Sequence, residues 1–165
     1  MTDLRNLSVE ELASLISPGG EIMRELRSRG VLETRNTVGE LGEYYAVEFY
    51  KKTADKPKLV KAPPGVQNVD ALGRNGLRYS IKTVSKRSGT TGSFWNPESI
   101  DRGEQTFDFL IIVILDDNWR TDMILELTWD AFIEHKKFNK RMQNYNISLT
   151  QKLIDHVNVI FDANS

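Results

Sequence analysis

An aspartate and a lysine twelve residues apart, Asp70 and Lys82, with Ser80 two positions before the lysine, are the side chains in this sequence best spaced to do chemistry together. They sit on two extended runs, residues 68–72 and 77–84, which flank Gly73-Arg74-Asn75-Gly76. An Asn-Gly pair between two such runs signals an antiparallel hairpin. Residues i and i+2 of a strand share a face, so Ser80 and Lys82 point the same way. Closing the hairpin at residues 73–76 then sets Asp70 beside Ser80. A carboxylate next to an ammonium supplies two things that metal-assisted phosphodiester hydrolysis needs: a metal ligand, and a cation that orients or deprotonates water. The plainer alternative for the same pair is an exposed cross-strand ion pair, worth ~0.5 kcal/mol.

A second carboxylate has to come from another element. Helical spacing of Val38, Leu41, Tyr45 and Phe49 predicts a helix over residues 37–53. Gly39, Gly42 and Ala46 lie beside that apolar stripe and would let the helix approach a sheet closely. Glu43 falls just past this flat side, whereas Glu40 lies further towards solvent, so Glu43 is the better second ligand; for either glutamate the alternative is an ordinary solvated helix position. With no cysteine and only His135 and His156, a thiolate or histidine-rich centre is excluded. Any metal is held by oxygen, which selects magnesium, manganese or calcium.

The surrounding elements follow from local signals. Ser8-Val9-Glu10-Glu11 reads as a capping box opening a short helix, and a second helix over residues 21–29 ends at Gly30. Strands are expected at residues 58–61, at the hairpin, at 107–115 and at 121–127. Thr128 should cap a helix running to about Phe138, followed by a short helix near 149–155 and an edge strand at 157–161. Residues 85–105, with Gly89, Gly92, Pro97 and Gly103, read as a long loop, a length that compact domains keep mainly for function. Helices, then strands, then a helix give an α+β or mixed α/β class.

The 165 residues suit about one domain, with 39% hydrophobic and 27% charged residues. No apolar run approaches the ~20 residues of a membrane span. No basic stretch followed by an apolar one opens the chain, so no secretory leader and a cytosolic setting are expected. Net charge is -1, yet residues 51–87 hold ten basic and two acidic residues, a local excess of +8. Such a segment suits a phosphate-binding surface as well as it suits a solvated lysine-rich loop.

Glu43 on a helix, Asp70 on one strand and Ser80-Ile81-Lys82 on the next resemble the PD-(D/E)xK nuclease superfamily. From Asn68 to Phe161 the chain is similar to small type II restriction endonucleases of the PvuII type. The similar features are Asn68-Val69-Asp70-Ala71, Tyr79-Ser80-Ile81-Lys82, the loop Thr91-Gly92-Ser93-Phe94 to Asn96-Pro97, Leu125-Glu126-Leu127 and Val159-Ile160-Phe161. The resemblance implies a restriction-endonuclease-like core, a central mixed sheet flanked by helices, spanning residues 36–165. Residues 1–35 would form a helical arm for packing or dimerisation. It further implies a Mg2+-dependent DNA endonuclease, with Mn2+ as a substitute. Asp70, Lys82, Glu43 and Ser80 would be its catalytic residues and Asp70, Glu43 and Ile81 its metal ligands. The departure is Ser80, which stands where the superfamily pattern has an acid. If neither Glu43 nor Glu40 fills that gap, a non-catalytic DNA-binding domain is the alternative.

Lys86, Arg87 and Arg74 are the expected phosphate contacts, and Thr91, Ser93 and Asn96 the expected base-edge contacts, on double-stranded DNA. For the loop, pinning to the core by Phe94 and Trp95 is an equal alternative. Lys136, Lys137, Lys140 and Arg141 offer a further phosphate contact or a plain solvated face. Cutting both strands of a symmetric site requires two active sites, so a homodimer is expected.

Overall fold

The computed structural model describes residues 3–165. The chain divides into two compact units, Met1–Leu41 and Gly42–Ser165, the division falling inside the helix that spans Thr37–Lys52. In the first unit, α1 (Val9–Ile16) starts at the expected capping box: Ser8 Oγ accepts the Glu11 N–H at 3.2 Å, and Glu11 Oε2 accepts the Ser8 N–H at 2.7 Å. α2 (Glu21–Ser28) stops just before Gly30, whose φ of +72° only glycine adopts cheaply. α3 (Thr37–Lys52) opens after a turn whose Glu33 and Thr34 N–H groups both donate to Glu40 at 2.9 Å.

The second unit is built on a mixed six-stranded sheet with short helices. Its strands are β1 (Leu59–Lys61), β2 (Ala71–Gly73), β3 (Arg78–Val84), β4 (Phe109–Leu115), β5 (Thr121–Thr128) and β8 (Asn158–Asp162), in that spatial order. β3 and β4 are parallel and every other pair is antiparallel. The helices are α4 (Pro97–Asp101), α5 (Trp129–His135) and α6 (Gln151–His156). A separate two-stranded ribbon pairs β6 (Lys137–Asn139) with β7 (Asn144–Asn146). The class is therefore α+β with a mixed sheet flanked by helices.

β4 is buried on both faces, which is why Phe109–Leu115 reads as a continuous apolar run. One face carries Leu110, Ile112 and Ile114 into a core with Leu125, Leu127, Phe94, Phe107, Trp129 and Phe132. On the other face α3 comes in close. A Cβ added at Gly42 would lie 1.9 Å from Thr83 Oγ1, and the Tyr50 and Tyr79 rings meet edge-on at 5.7 Å.

Three sequence expectations need correction. The run 68–72 is a strand only from Ala71, because Asn68 is left-handed (φ 59°) and turns the chain just before it. The helix capped by Thr128 ends at His135, not near Phe138, because Lys136 is extended (φ -59°, ψ 144°) and feeds β6. The stretch 85–105 is no free loop: it contains α4, and bridges at Thr90↔Ser148 and Phe94↔Tyr145 bind it to the ribbon strand and the residues after it. Among the described residues no helix is long and apolar enough to cross a membrane.

Candidate active site

β2 leaves β3 early. The two strands pair only through Ala71↔Tyr79 and Leu72↔Arg78, with one further bond from the Asp70 N–H to the Tyr79 carbonyl at 2.8 Å. Beyond that point the Asp70 side chain does the work of a strand. Its Oδ2 accepts the Ile81 N–H at 2.7 Å and the Ser80 hydroxyl at 3.4 Å. The N–H and C=O of one strand residue leave on the same edge. The Ile81 carbonyl therefore points to the same edge as the Asp70 carboxylate.

Ser80 and Lys82 project from the face that carries Leu110 and Ile112, as their register with β4 shows. Ser80 is fully buried. Lys82 is half-buried, its Nζ 4.9 Å from the centre of the Phe94 ring and donating to the Ser93 carbonyl at 3.0 Å. Burial pulls the Lys82 ammonium below its ordinary pKa, while the negative charges of Asp70 and then Glu43 push it back up. Both candidate carboxylates thus act on one ammonium. α3, which carries Glu43, lies over the Thr83 face; the open edge beside Ile81 is where the two faces meet. Glu40, expected towards solvent, is instead buried, because its carboxylate closes the turn at residues 33 and 34 within the first unit.

Among the described residues no cluster of three or more acidic or histidine side chains gathers into a metal centre. The donor set on offer is two carboxylates, Asp70 and Glu43, with the Ile81 main-chain carbonyl. That set is all oxygen and fits magnesium, which typically takes one or two carboxylates and keeps several waters. Asp70 Oδ2 is committed to Ile81 and Ser80, and no hydrogen bond among the described residues reaches Oδ1.

The expected DNA contacts fare unevenly. Arg87 gives its guanidinium to Asp122 at 2.6 Å and to Asp162 at 2.8 Å. Thr91 is buried, and its hydroxyl accepts the Ile147 N–H at 3.0 Å. Ser93 is half-buried and serves Lys82 through its carbonyl. Asn96, exposed and left-handed, donates to Gln67 and opens α4. Lys86 and Arg74 are exposed in turns.

Five basic residues of the +8 segment, Lys51, Lys52, Lys56, Arg78 and Arg87, pair with acids from outside it. Lys56 pairs with Glu126 at 3.0 Å, Arg78 with Asp108 at 3.2 Å, and Lys51 with Glu48 at 3.4 Å. Acids from α3, β5, β8 and the turn before β4 thus fold onto part of this basic stretch, while Lys58, Arg74 and Lys86 stay exposed.

Two features escaped the sequence reading. Asn68 clamps the loop to the site: its Nδ2 donates to the Trp95 carbonyl at 3.0 Å and its Oδ1 accepts the Trp95 N–H at 3.2 Å. An asparagine just before the strand was the available signal, since Asn tolerates the left-handed region. Glu126 on β5 takes the hydroxyl of fully buried Tyr50 and the Lys56 ammonium. Burial is the main cause raising the Tyr50 phenol's pKa, and the bond to Glu126 raises it further.

The sequence matches no protein-family model, and no curated protein matches it.

Proposed function

We propose that the protein is a magnesium-dependent endonuclease that hydrolyses phosphodiester bonds of double-stranded DNA, of restriction-enzyme type and working as a homodimer. The observation that carries this reading is the Asp70 carboxylate held on the Ile81 N–H and the Ser80 hydroxyl at the edge of β3. On either side of Ile81, Ser80 and the half-buried Lys82 share a face, and the charges of Asp70 and Glu43 oppose the burial of the Lys82 ammonium. Asp70 Oδ1, the Glu43 carboxylate and the Ile81 carbonyl would hold the ion. A bound Mg2+ supplies Lewis-acid polarisation of a phosphoryl oxygen, and Mn2+ suits the same oxygen donors. Lys82 orients the attacking water and meets the negative charge that develops on the phosphate. The Phe94 ring and the Ser93 carbonyl hold its stem and head, so little reorganisation is required. Ser80 braces the Asp70 carboxylate through its hydroxyl.

One observation favours a second reading. The position that would supply another acid holds a buried serine, which suits a domain that binds DNA without cutting it. A plasmid-nicking assay separates the two. Wild-type protein should convert supercoiled DNA with Mg2+ and not with EDTA, and Asp70→Asn should not convert it at all. Binding without metal-dependent cutting, on plasmids of varied sequence, would give the function to the binding domain.

A further inference from the structure

We infer that the β6–β7 ribbon, with the basic pocket at its base, is the surface that docks duplex DNA. This rests on the proposed function for its choice of partner. From Lys136 to Ile154 the chain carries five basic residues and no acidic one. Whereas Lys51, Lys52, Lys56, Arg78 and Arg87 of the +8 segment are paired with acids, among the described residues no ion pair reaches Lys136, Lys137, Lys140, Arg141 or Lys152.

The ribbon stands apart from the main sheet, and its register pairs Lys137 with Asn146, Phe138 with Tyr145 and Asn139 with Asn144. Lys140 and Arg141 lie in its exposed turn, which Asn139 Oδ1 shapes by accepting the Arg141 and Met142 N–H groups. Phe138 and Met142 are exposed beside them at 46% and 54%, large apolar groups of the kind that pack on base edges and sugars. A two-stranded ribbon fits the major groove, ~12 Å wide. At its base a cavity of ≈ 380 Å³ is lined by His135, Lys136, Lys137, Lys152 and the hydroxyl residues Ser148 and Thr150. The Glu134 carboxylate shares the wall. That chemistry suits a backbone phosphate.

The ribbon is also wired to the site. The Phe94 N–H donates to the Tyr145 carbonyl at 2.8 Å, the Thr91 N–H to the Ile147 carbonyl at 2.9 Å, and the Leu149 N–H to the Gly89 carbonyl at 2.9 Å. The same loop holds Lys82 through Ser93. Charge alone would equally suit an anionic membrane; the ribbon's width and its attachment to the Lys82 loop favour a duplex.

The test is fluorescence anisotropy with a labelled duplex in EDTA, where no cutting can occur. Lys140→Gln/Arg141→Gln should weaken binding roughly ten-fold or more and flatten the log Kd against log salt slope by about two, one for each phosphate no longer neutralised. Arg24→Gln/Arg35→Gln removes the same charge from the first unit and should leave both quantities unchanged. Unchanged thermal unfolding of the ribbon variant shows that it folds; should it unfold early, Lys137→Gln/Lys152→Gln at the pocket gives the same reading. Wild-type affinity and slope in a folded ribbon variant would overturn the inference, as would wild-type preference for anionic phosphatidylserine vesicles over the duplex. Neither outcome depends on whether the protein cleaves, so a failed nicking assay and a failed ribbon remain distinct.

Discussion

The main-chain N–H of Ile81 donates to Asp70 Oδ2 at 2.7 Å, so a side chain closes the ladder where a strand stops. One carboxylate oxygen is thereby fixed to β3, and no hydrogen bond among the described residues reaches the other. In the proposed site, structure and chemistry would be shared between the two oxygens of a single group.

That sharing makes two substitutions at residue 70 behave differently. Asp70→Asn keeps an acceptor for Ile81 and loses the charge. It should fold normally, lose metal-dependent cleavage, and bind Mg2+ more weakly by calorimetry. Asp70→Ala leaves the Ile81 N–H without its partner, a cost of ~1–3 kcal/mol. Urea denaturation should separate the two variants by about that amount; equal stabilities would show that the bond carries nothing.

Lys82 links the site to pH. Its pKa in the folded protein is below the ordinary 10.5, with burial the main cause and Asp70 and Glu43 opposing it. In the window between the lowered folded value and 10.5, the unfolded chain binds more protons at this residue than the native one. Stability therefore rises with pH through that window. Below the folded value both states are charged and the burial penalty is present in full. Lys82→Met keeps the stem's packing on Phe94 and should abolish this contribution to the rise, along with cleavage. Identical pH–stability curves for wild type and variant would show that Lys82 contributes nothing to the rise.

What the sequence made legible was what short-range rules govern. The Ser8 cap, the Asn-Gly turn with Gly76 at φ +82°, and the apolar run of β4 depend on neighbouring residues. The closeness of Asp70 and Ser80 needed only the two-residue period of a strand and one tight turn. The ribbon was hidden because nothing between Trp129 and Phe138 breaks a helix. Its departure at Lys136 goes with pairing to residues 144–146 and with bonds that tie those to residues 89–94. The +8 segment misled for a related reason, since Asp108, Asp122, Glu126 and Asp162 arrive from later strands and the turns beside them.

Helix α3 comes very close to the sheet at Gly42. A Cβ at Gly42 would meet Thr83 Oγ1 at 1.9 Å and both carbons of that branched side chain at 2.8 Å. Gly42→Ala should therefore destabilise by ~1–3 kcal/mol through overpacking, despite alanine's better helix propensity. Thr83→Ala removes two of the three clashing atoms and should recover part of the loss in a double-mutant cycle. Because Glu43 is the next residue, Gly42→Ala should also lower cleavage at temperatures where the variant is fully folded. Simple additivity of the two substitutions would contradict this close approach.

Ser80 is the most informative position for the chemistry. It is fully buried, with its hydroxyl 3.4 Å from Asp70 Oδ2. Ser80→Asp puts a second carboxylate beside the first, and two such groups repel unless a cation lies between them. Without metal the variant should melt lower than wild type, and the gap should narrow as Mg2+ is titrated, because an ion that binds only the native state stabilises it by mass action. Mg2+ affinity should increase on the same titration. If the serine alone limits catalysis, cleavage rises as well; if the site already works through Glu43, cleavage holds or falls while affinity still rises. Scanning calorimetry across a Mg2+ series reads the first effect independently of any DNA. A melting point that falls equally with and without Mg2+ would mean that residues 70 and 80 do not share a cation, and the metal centre would have to be sought elsewhere.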